Sequence, residues 1–595
     1  MNDGFYFMKK SLLITICLLF GFCNTQCAAD QLSDSEQMDQ PSDSESEIST
    51  QEPVTGIRIA WDASTKTQIS ELGDVGYNGY ARVIQLTDGA LVVTYESHGK
   101  ILVKRSTDLG QTWSSLIVVA DYKNGVSNTT PDLIELKNGT ILLAYNPRPG
   151  NTASVDEHFS IKVIQSSDGG KSWHNDQTVY TADTLFENGA WEPTFLQLPS
   201  GEIQLYFSNE NIYRNSNEQN ISILRSTDNG LSWTLTPEIT SFRSGHRDGM
   251  PAPIYLKDTE EIVYAIEDNG DNNQFKPYII RNTLAQNWST FVSASSPNRS
   301  YALQDALEKD EYAGAPDLVQ LANGEVLLSY QGTENRAGTD LNNAEMRVAI
   351  GNKIAQNFNR TTSPFVIPEN KSALWNSITV LEDGTVLALT TTNAFSSANN
   401  SEVWMIKGYV IPQLRAERAT INIDGAQTED IWEHNFPLFV GHMGDTQLRG
   451  TVSADSNNLY ILTRTTNNQG ASTIATQNNA NGTILYLDPQ AQNKLRPDAG
   501  IFKIQISVKG EVAIYEGAAG NWDQIEAPQL QVAVAENEGV IQEIAIPWEV
   551  LHHRFQVDTE LGFSIALIER GEANYTEMLS TTNGDEPYTW LRLKI

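Results

Sequence analysis

Short stretches in which apolar and polar residues alternate recur along most of the chain. Six share one design: YARVIQLTDGALVVTYES, TPDLIELKNGTILLAYNP, EPTFLQLPSGEIQLYFSN, MPAPIYLKDTEEIVYAIEDN, APDLVQLANGEVLLSYQG and WNSITVLEDGTVLALTTT. Each reads as strand, tight turn, strand, with β-branched and aromatic residues flanking Asp-Gly, Asn-Gly or a substitute for them. The units follow one another at 50 to 65 residues, a period that signals a stacked or radial repeat. They predict an all-β fold, a six-bladed β-propeller from about Gly56 to Pro412. IRIAWD near residue 57 and EVWMIKGYVI near residue 402 are expected to pair in one blade and close the ring.

A second repeat interlocks with the first. RSTDLGQTW, QSSDGGKSW and RSTDNGLSW place Asp108, Asp168 and Asp228 at intervals of 60 residues, too regular for chemistry at a single site. On the outer hairpin of a blade, such an aspartate can accept backbone N–H groups across the turn. Its glycine takes the positive-φ position and its tryptophan packs inward. RNTLAQNW and GNKIAQNF read as decayed copies that keep only the aromatic residue.

After Pro412 the pattern changes to short strands joined by polar turns, which predicts a β-sandwich over residues 413–595. Trp432 and Trp548 are expected in its core and Trp522, in GAAGNWDQ, nearer the surface.

Composition adds three constraints. Residues 1–29 carry Lys9 and Lys10, a short apolar run and Cys27-Ala28-Ala29, the marks of a cleaved export signal, and no membrane-spanning segment follows. All three cysteines lie there, so the body has no thiol chemistry; Cys23 or Cys27 is an alternative lipid acceptor for a periplasmic, extracellular or surface-anchored protein. Residues 30–55 are acidic and Ser-rich, a tether. A net charge of −34 argues against nucleic acid and favours a neutral partner such as an oligosaccharide or polysaccharide, and a monomer is expected.

The repeat register also locates candidate chemistry. Six residues before the turn leucine stand Tyr80, Thr130, Glu192, Met250, Ala315 and Trp375, and two further on stand Arg82, Asp132, Thr194, Ala252, Asp317 and Ser377. The returning strands close with Glu96, Asn146, Ser208, Glu267, Gln331 and Thr391 at the same rim. Glu192 and Glu267 thereby converge on one pocket, the pairing that glycoside hydrolysis requires. Arg82, Glu96, Trp191, Arg247, Asp248 and Trp375 are the expected substrate contacts. No His and carboxylate spacing suggests a metal in the propeller, and no cofactor is expected. Calcium in the C-terminal domain remains an option from its scattered aspartates.

The Ser-x-Asp-x-Gly-x-x-Trp boxes resemble those of the sialidase superfamily. Within it, NGAWEPTFLQL, RDGMPAP, IVYAIEDN and AGAPDLVQL look like family 93 glycoside hydrolases, exo-acting arabinanases. That resemblance implies retaining cleavage of α-1,5-linked arabinan with release of arabinobiose, Glu192 as acid/base, Glu267 as nucleophile and a supporting tyrosine for which Tyr330 is the candidate. True sialidases have an aspartate before the first box, absent from ESHGKILVKR, and of their Arg-containing opening Tyr80-Ala81-Arg82-Val83 keeps only the arginine. An exo-α-sialidase and a glycan-binding propeller without activity are the alternatives. The C-terminal order of Ile-Asp-Gly, Tyr-Leu-Asp-Pro and Ile-Pro-Trp resembles family 9 carbohydrate-binding modules.

Overall fold

The computed structural model of the chain describes residues 54–71, 76–426, 428–433, 438–441, 447–466, 482–526, 530–536, 539–570, 574–579 and 584–595. The expected signal, its cysteines and nearly all of the tether lie outside these residues, as does the side chain of Trp432. The described chain is all-β, with helix confined to short 3-10 turns such as Phe186–Asn188. Among the described residues no helix is long and apolar enough to cross a membrane.

Four-stranded antiparallel sheets follow one another, each assembled in the order in which the chain supplies its strands, so that every hairpin of the sequence forms the first two strands of a sheet. The third begins Ala190–Gln197 and Ile203–Asn209, and the fourth Asp248–Leu256 and Glu261–Asp268. The last group is completed from the other end of the chain. Ala373–Val380, Val386–Thr392 and Glu402–Arg415 are joined by Gly56–Gln68, with Trp61 opposite Gly408, as the pairing of IRIAWD with EVWMIKGYVI required. Successive first strands are neighbours, and Ala373–Val380 neighbours Asn78–Gln85, so the sheets form a closed ring.

The boxes do architectural work. Gly110 N–H donates to Ser106 Oγ (2.8 Å) and Thr112 N–H to Asp108 Oδ1 (2.9 Å), bonds that recur around Asp168 and Asp228. Hydroxyl and N–H donors hold the Asp108 carboxyl down at about 2. Gly110 has φ +84° and faces Met405 of the preceding sheet, as Gly170 faces Val92 and Gly230 faces Leu142, so each turn seats against its neighbour. The decayed copies keep the plug: Trp288 and Phe358 are buried, and in the second of these turns Asn352 Oδ1 accepts Gln356 N–H (2.9 Å).

The boundary expected after Pro412 falls inside a strand. Glu402–Arg415 runs on to pair in parallel with Leu591–Lys594 near the C-terminus, Leu414 opposite Leu593. Beyond it two sheets enclose one apolar core, where Val452, Leu459 and Ile546 meet Leu485, Phe502 and Phe563. Trp548 belongs to that core. Trp522 is half-buried beside Tyr486 and donates to Asp585 Oδ1 (2.7 Å).

A buried ion cluster fastens the fourth sheet. Arg299 donates to Asp248 (2.5 and 2.9 Å) and to Asp268 (2.6 Å), with all three side chains shut off from water, and Arg243 reaches Asp268 at 3.0 Å. Removing one partner strands buried charge, which costs about 3–5 kcal/mol. Arg299→Met should therefore lower the denaturation midpoint strongly. Arg214→Met, which breaks an exposed pair with Asp183, should cost about 0–1 kcal/mol. Equal shifts of the two urea transitions would contradict this.

Candidate active site

Each first strand carries a bulge at one equivalent place, and the residue there has a positive φ: Tyr80 (51°), Thr130 (47°), Glu192 (50°), Met250 (51°), Ala315 (46°) and Trp375 (52°). These are the positions aligned by the turn register. None is glycine, so each carries strain on the order of 1–3 kcal/mol. A bond from the preceding sheet offsets it. Tyr80 N–H donates to Thr391 Oγ1 (3.0 Å), Thr130 to Glu96 Oε2 (2.6 Å), Met250 to Ser208 Oγ (2.9 Å), Ala315 to Glu267 Oε2 (2.9 Å) and Trp375 to Gln331 Oε1 (2.8 Å). At the boundary before Glu192 the equivalent Asn146 Oδ1 instead accepts from Arg148 Nε (2.7 Å).

The bulges turn their side chains toward the axis. Tyr80, Met250 and Ala315 pack together with Trp375 against them, while Arg82, Asp132, Glu192 and Asp317 line an axial cavity of about 170 Å³. Arg82 donates to the Ala81 carbonyl (2.9 Å) and lies over the Tyr80 ring. Burial and the Asp132 charge push Asp317 up to about 6 against the pull of Arg82.

Glu192 also opens on a second cavity, of about 350 Å³, that contains Glu267, Glu210, Arg148 and Arg247. Here the glycines of the motif words find their reason. A Cβ on Gly314 would stand 2.6 Å from Glu267 Oε2, one on Gly249 would stand 3.1 Å from Glu267 Oε1, and one on Gly189 would stand 2.2 Å from the Trp191 ring. AGAPD and RDGMP thus leave room for Glu267, and NGAWEP for the tryptophan beside Glu192.

The two carboxyl groups sit in unequal fields. Burial pushes Glu267 up to about 7; the Ala315 N–H and Arg247 oppose this, and the Glu192 charge adds to it. Burial raises Glu192 too, but Arg148 (Nη2 to Oε1, 3.6 Å), a hydroxyl bond from Ser208, Arg247 and Arg82 all favour its ionised form. Arg247 is itself held by Glu210, a buried carboxylate that also accepts from Gln219 Nε2 (3.0 Å).

Several expected substrate contacts are placed elsewhere. Asp248 faces the buried Arg299 cluster rather than the pocket, its carboxylate consumed by the ion pair. Tyr330 is buried, donates to Glu334 Oε1 (2.6 Å) and lines a different cavity; it is Tyr312 whose hydroxyl shares the Gly314 recess with Glu267. Trp191 is packed on Phe159 and Phe186 and covered by Arg148, so its ring faces are occupied. Trp375 packs in the axial cluster and Arg82 shares the axial cavity with Glu192, while Glu96 gives Oε2 to the Thr130 N–H and lies within the fields of Arg148 and Glu192. Arg148, Glu210 and Tyr312 escaped the sequence reading because they stand in strand ends and loops outside the aligned positions.

A family model described as a BNR repeat-like domain matches residues 96–585. No curated protein matches the sequence. Similar solved structures include the Penicillium chrysogenum alpha-L-arabinanase complexed with arabinobiose, 19% identical, covering 58% of this chain and 97% of that one with a TM-score of 0.44. The NanB sialidase from Streptococcus pneumoniae is 14% identical, covering 60% of this chain and 71% of that one, TM-score 0.41. A carbohydrate binding module of family 9 from Caldicellulosiruptor kristjanssonii, in complex with cellotriose, is 14% identical over 31% of this chain and 92% of its own, TM-score 0.26. Matched by that family model over most of its length, the chain belongs to the BNR repeat-like domain family.

Proposed function

We propose that residues 56–412 are a six-bladed β-propeller glycoside hydrolase, exported, acting on arabinan as an exo-α-1,5-L-arabinanase, and that residues 413–595 are a carbohydrate-binding-like sandwich. One observation carries the hydrolase reading: Glu192 and Glu267 share a pocket in which their charge environments differ. The words around Trp191, Gly249 and Gly314, each with a glycine that makes room in this pocket, support the arabinanase reading.

The electrostatics favour dividing the roles the other way from the family expectation. Glu267 holds its proton to about pH 7 and suits protonation of the leaving oxygen. Glu192, attended by Arg148, Arg247 and Arg82, suits the carboxylate that attacks the anomeric carbon or draws a proton from water. The same three arginines are the observation that favours the second reading, an exo-α-sialidase, since they could meet an anionic sugar.

Digestion separates the readings. The full-length protein should release a disaccharide from linear arabinan and no sialic acid from sialyllactose, as read by chromatography; the reverse outcome makes it a sialidase, and silence on both leaves a binding propeller.

The division of roles is tested with Gln variants, which keep an acceptor for the Ala315 N–H. A good leaving group departs without protonation. Glu267→Gln should thus release the aryl group from an activated aryl arabinobioside in the first turnover at close to the wild-type rate while losing about 10²–10⁴-fold on arabinan. Glu192→Gln should be inactive on both substrates. The opposite pattern restores the family assignment.

The acid must be protonated to act, so kcat/KM should fall as pH rises through about 7, the value of Glu267 in the free protein. Arg247→Gln removes a cation that favours the ionised form, and this descending limb should move to higher pH. A limb that moves down, or stays, would detach it from Glu267.

A further inference from the structure

A cavity of about 360 Å³ beside the fifth sheet is lined by Tyr330, Leu307, Glu334, Arg347 and Asn359, none of which reaches the Glu192 pocket. Its polar groups are fixed but incompletely used. Arg347 gives Nη1 to Ser363 Oγ (2.6 Å) and to Glu345 (3.0 Å), and Nη2 to the Glu334 carbonyl (2.5 Å), which leaves Nε buried without a partner among the described residues. Glu334 is anchored at Oε1 by the Tyr330 hydroxyl (2.6 Å), which leaves Oε2 in the same condition. Asn359 spends Nδ2 on Gln304 Oε1 (2.6 Å), with its Oδ1 buried and unpaired. Arg347 Nε and Glu334 Oε2 stand 3.9 Å apart, an ion pair too long to be a hydrogen bond.

Each such orphan costs about 1–3 kcal/mol unless something fills the cavity. A cation would satisfy Glu334 and be repelled by Arg347; an anion would meet the converse. A hydroxyl oxygen can accept from Nε and donate to Oε2 at once, and a second hydroxyl can donate to Asn359, while Leu303 and Leu307 offer apolar contact to carbon. We propose that this cavity is a second carbohydrate site, binding a residue of a neutral polyhydroxylated chain apart from the Glu192 and Glu267 pocket.

The inference rests on the cavity alone and not on the hydrolase reading. Full-length protein carrying Glu192→Gln, to prevent turnover, would be titrated calorimetrically with arabinotriose, xylotriose and cellotriose. At least one triose should bind at a site that is lost in Leu307→Trp, which fills the cavity, and weakened about tenfold or more in Glu334→Leu, which removes the acceptor. In the wild-type background both changes should leave hydrolysis of a short aryl substrate unaltered, whatever sugar that substrate proves to contain. Identical stoichiometry and affinity in the parent and in both variants, for all three trioses, would show that the cavity holds only water and would overturn the proposal. Absence of hydrolysis in the wild type would instead sink the catalytic reading and leave the titration to be judged by itself.

Discussion

The hydrogen bond that five of the six bulged residues make to the sheet before them is the constraint from which the site follows. The bulges require left-handed backbone at residues such as Thr130 and Met250, a conformation that L-residues avoid. It persists where a side chain from the neighbouring sheet receives the N–H. Thr391, Glu96, Ser208, Glu267 and Gln331 bring hydroxyl, carboxylate and amide groups, and what they share is that each can accept. A position that demands only an acceptor can host a glutamate at no structural loss, and one oxygen of that glutamate stays available to the pocket. Glu267 is such a case: Oε2 holds the ring together and Oε1 lies against Gly249.

The exception is as informative as the rule. Before Glu192, Asn146 orients Arg148 rather than receiving a bulge N–H, and Arg148 in turn covers Trp191 and approaches the Glu192 carboxylate. The boundary where the repeated bond gives way is the one where a carboxylate occupies the bulge. Arg247 is drawn to the same side by Glu210. Positive charge therefore accumulates around one acid of the pair and leaves the other to desolvation, which is what separates two carboxyl groups of the same chemical type.

Much of this was legible in the sequence, for a physical reason: in a repeated hairpin, counting from the turn leucine is equivalent to measuring along the strand. Within the expected propeller that count picked out the positions that prove to be the bulges, including Glu192, and the closing residues, including Glu267. It failed where position depends on contacts that no repeat encodes. Asp248 looked like a rim carboxylate, yet its partner Arg299 lies 51 residues away in the outermost strand of the same sheet. Trp191 is a sugar contact by its position in the sequence, yet Phe159, Phe186 and Arg148 enclose its ring. Tyr330 and Tyr312 flank the same stretch of sequence, and only the recess at Gly314 tells which one meets Glu267.

The sheet that takes strands from both ends of the ring has a consequence for how the protein is made. Gly56–Gln68 has no partner until Glu402–Arg415 exists, and Glu325, which accepts the Gly56 N–H (3.3 Å), is itself translated long after that strand. Until Glu402–Arg415 is made, the earliest strand of the ring lacks its ladder partner and would stand as an unpaired edge. Such an edge invites pairing with another nascent chain. The slow, dangerous moment in the life of this molecule thus comes when Glu402–Arg415 emerges and the first strand of the ring must find a segment made long after it.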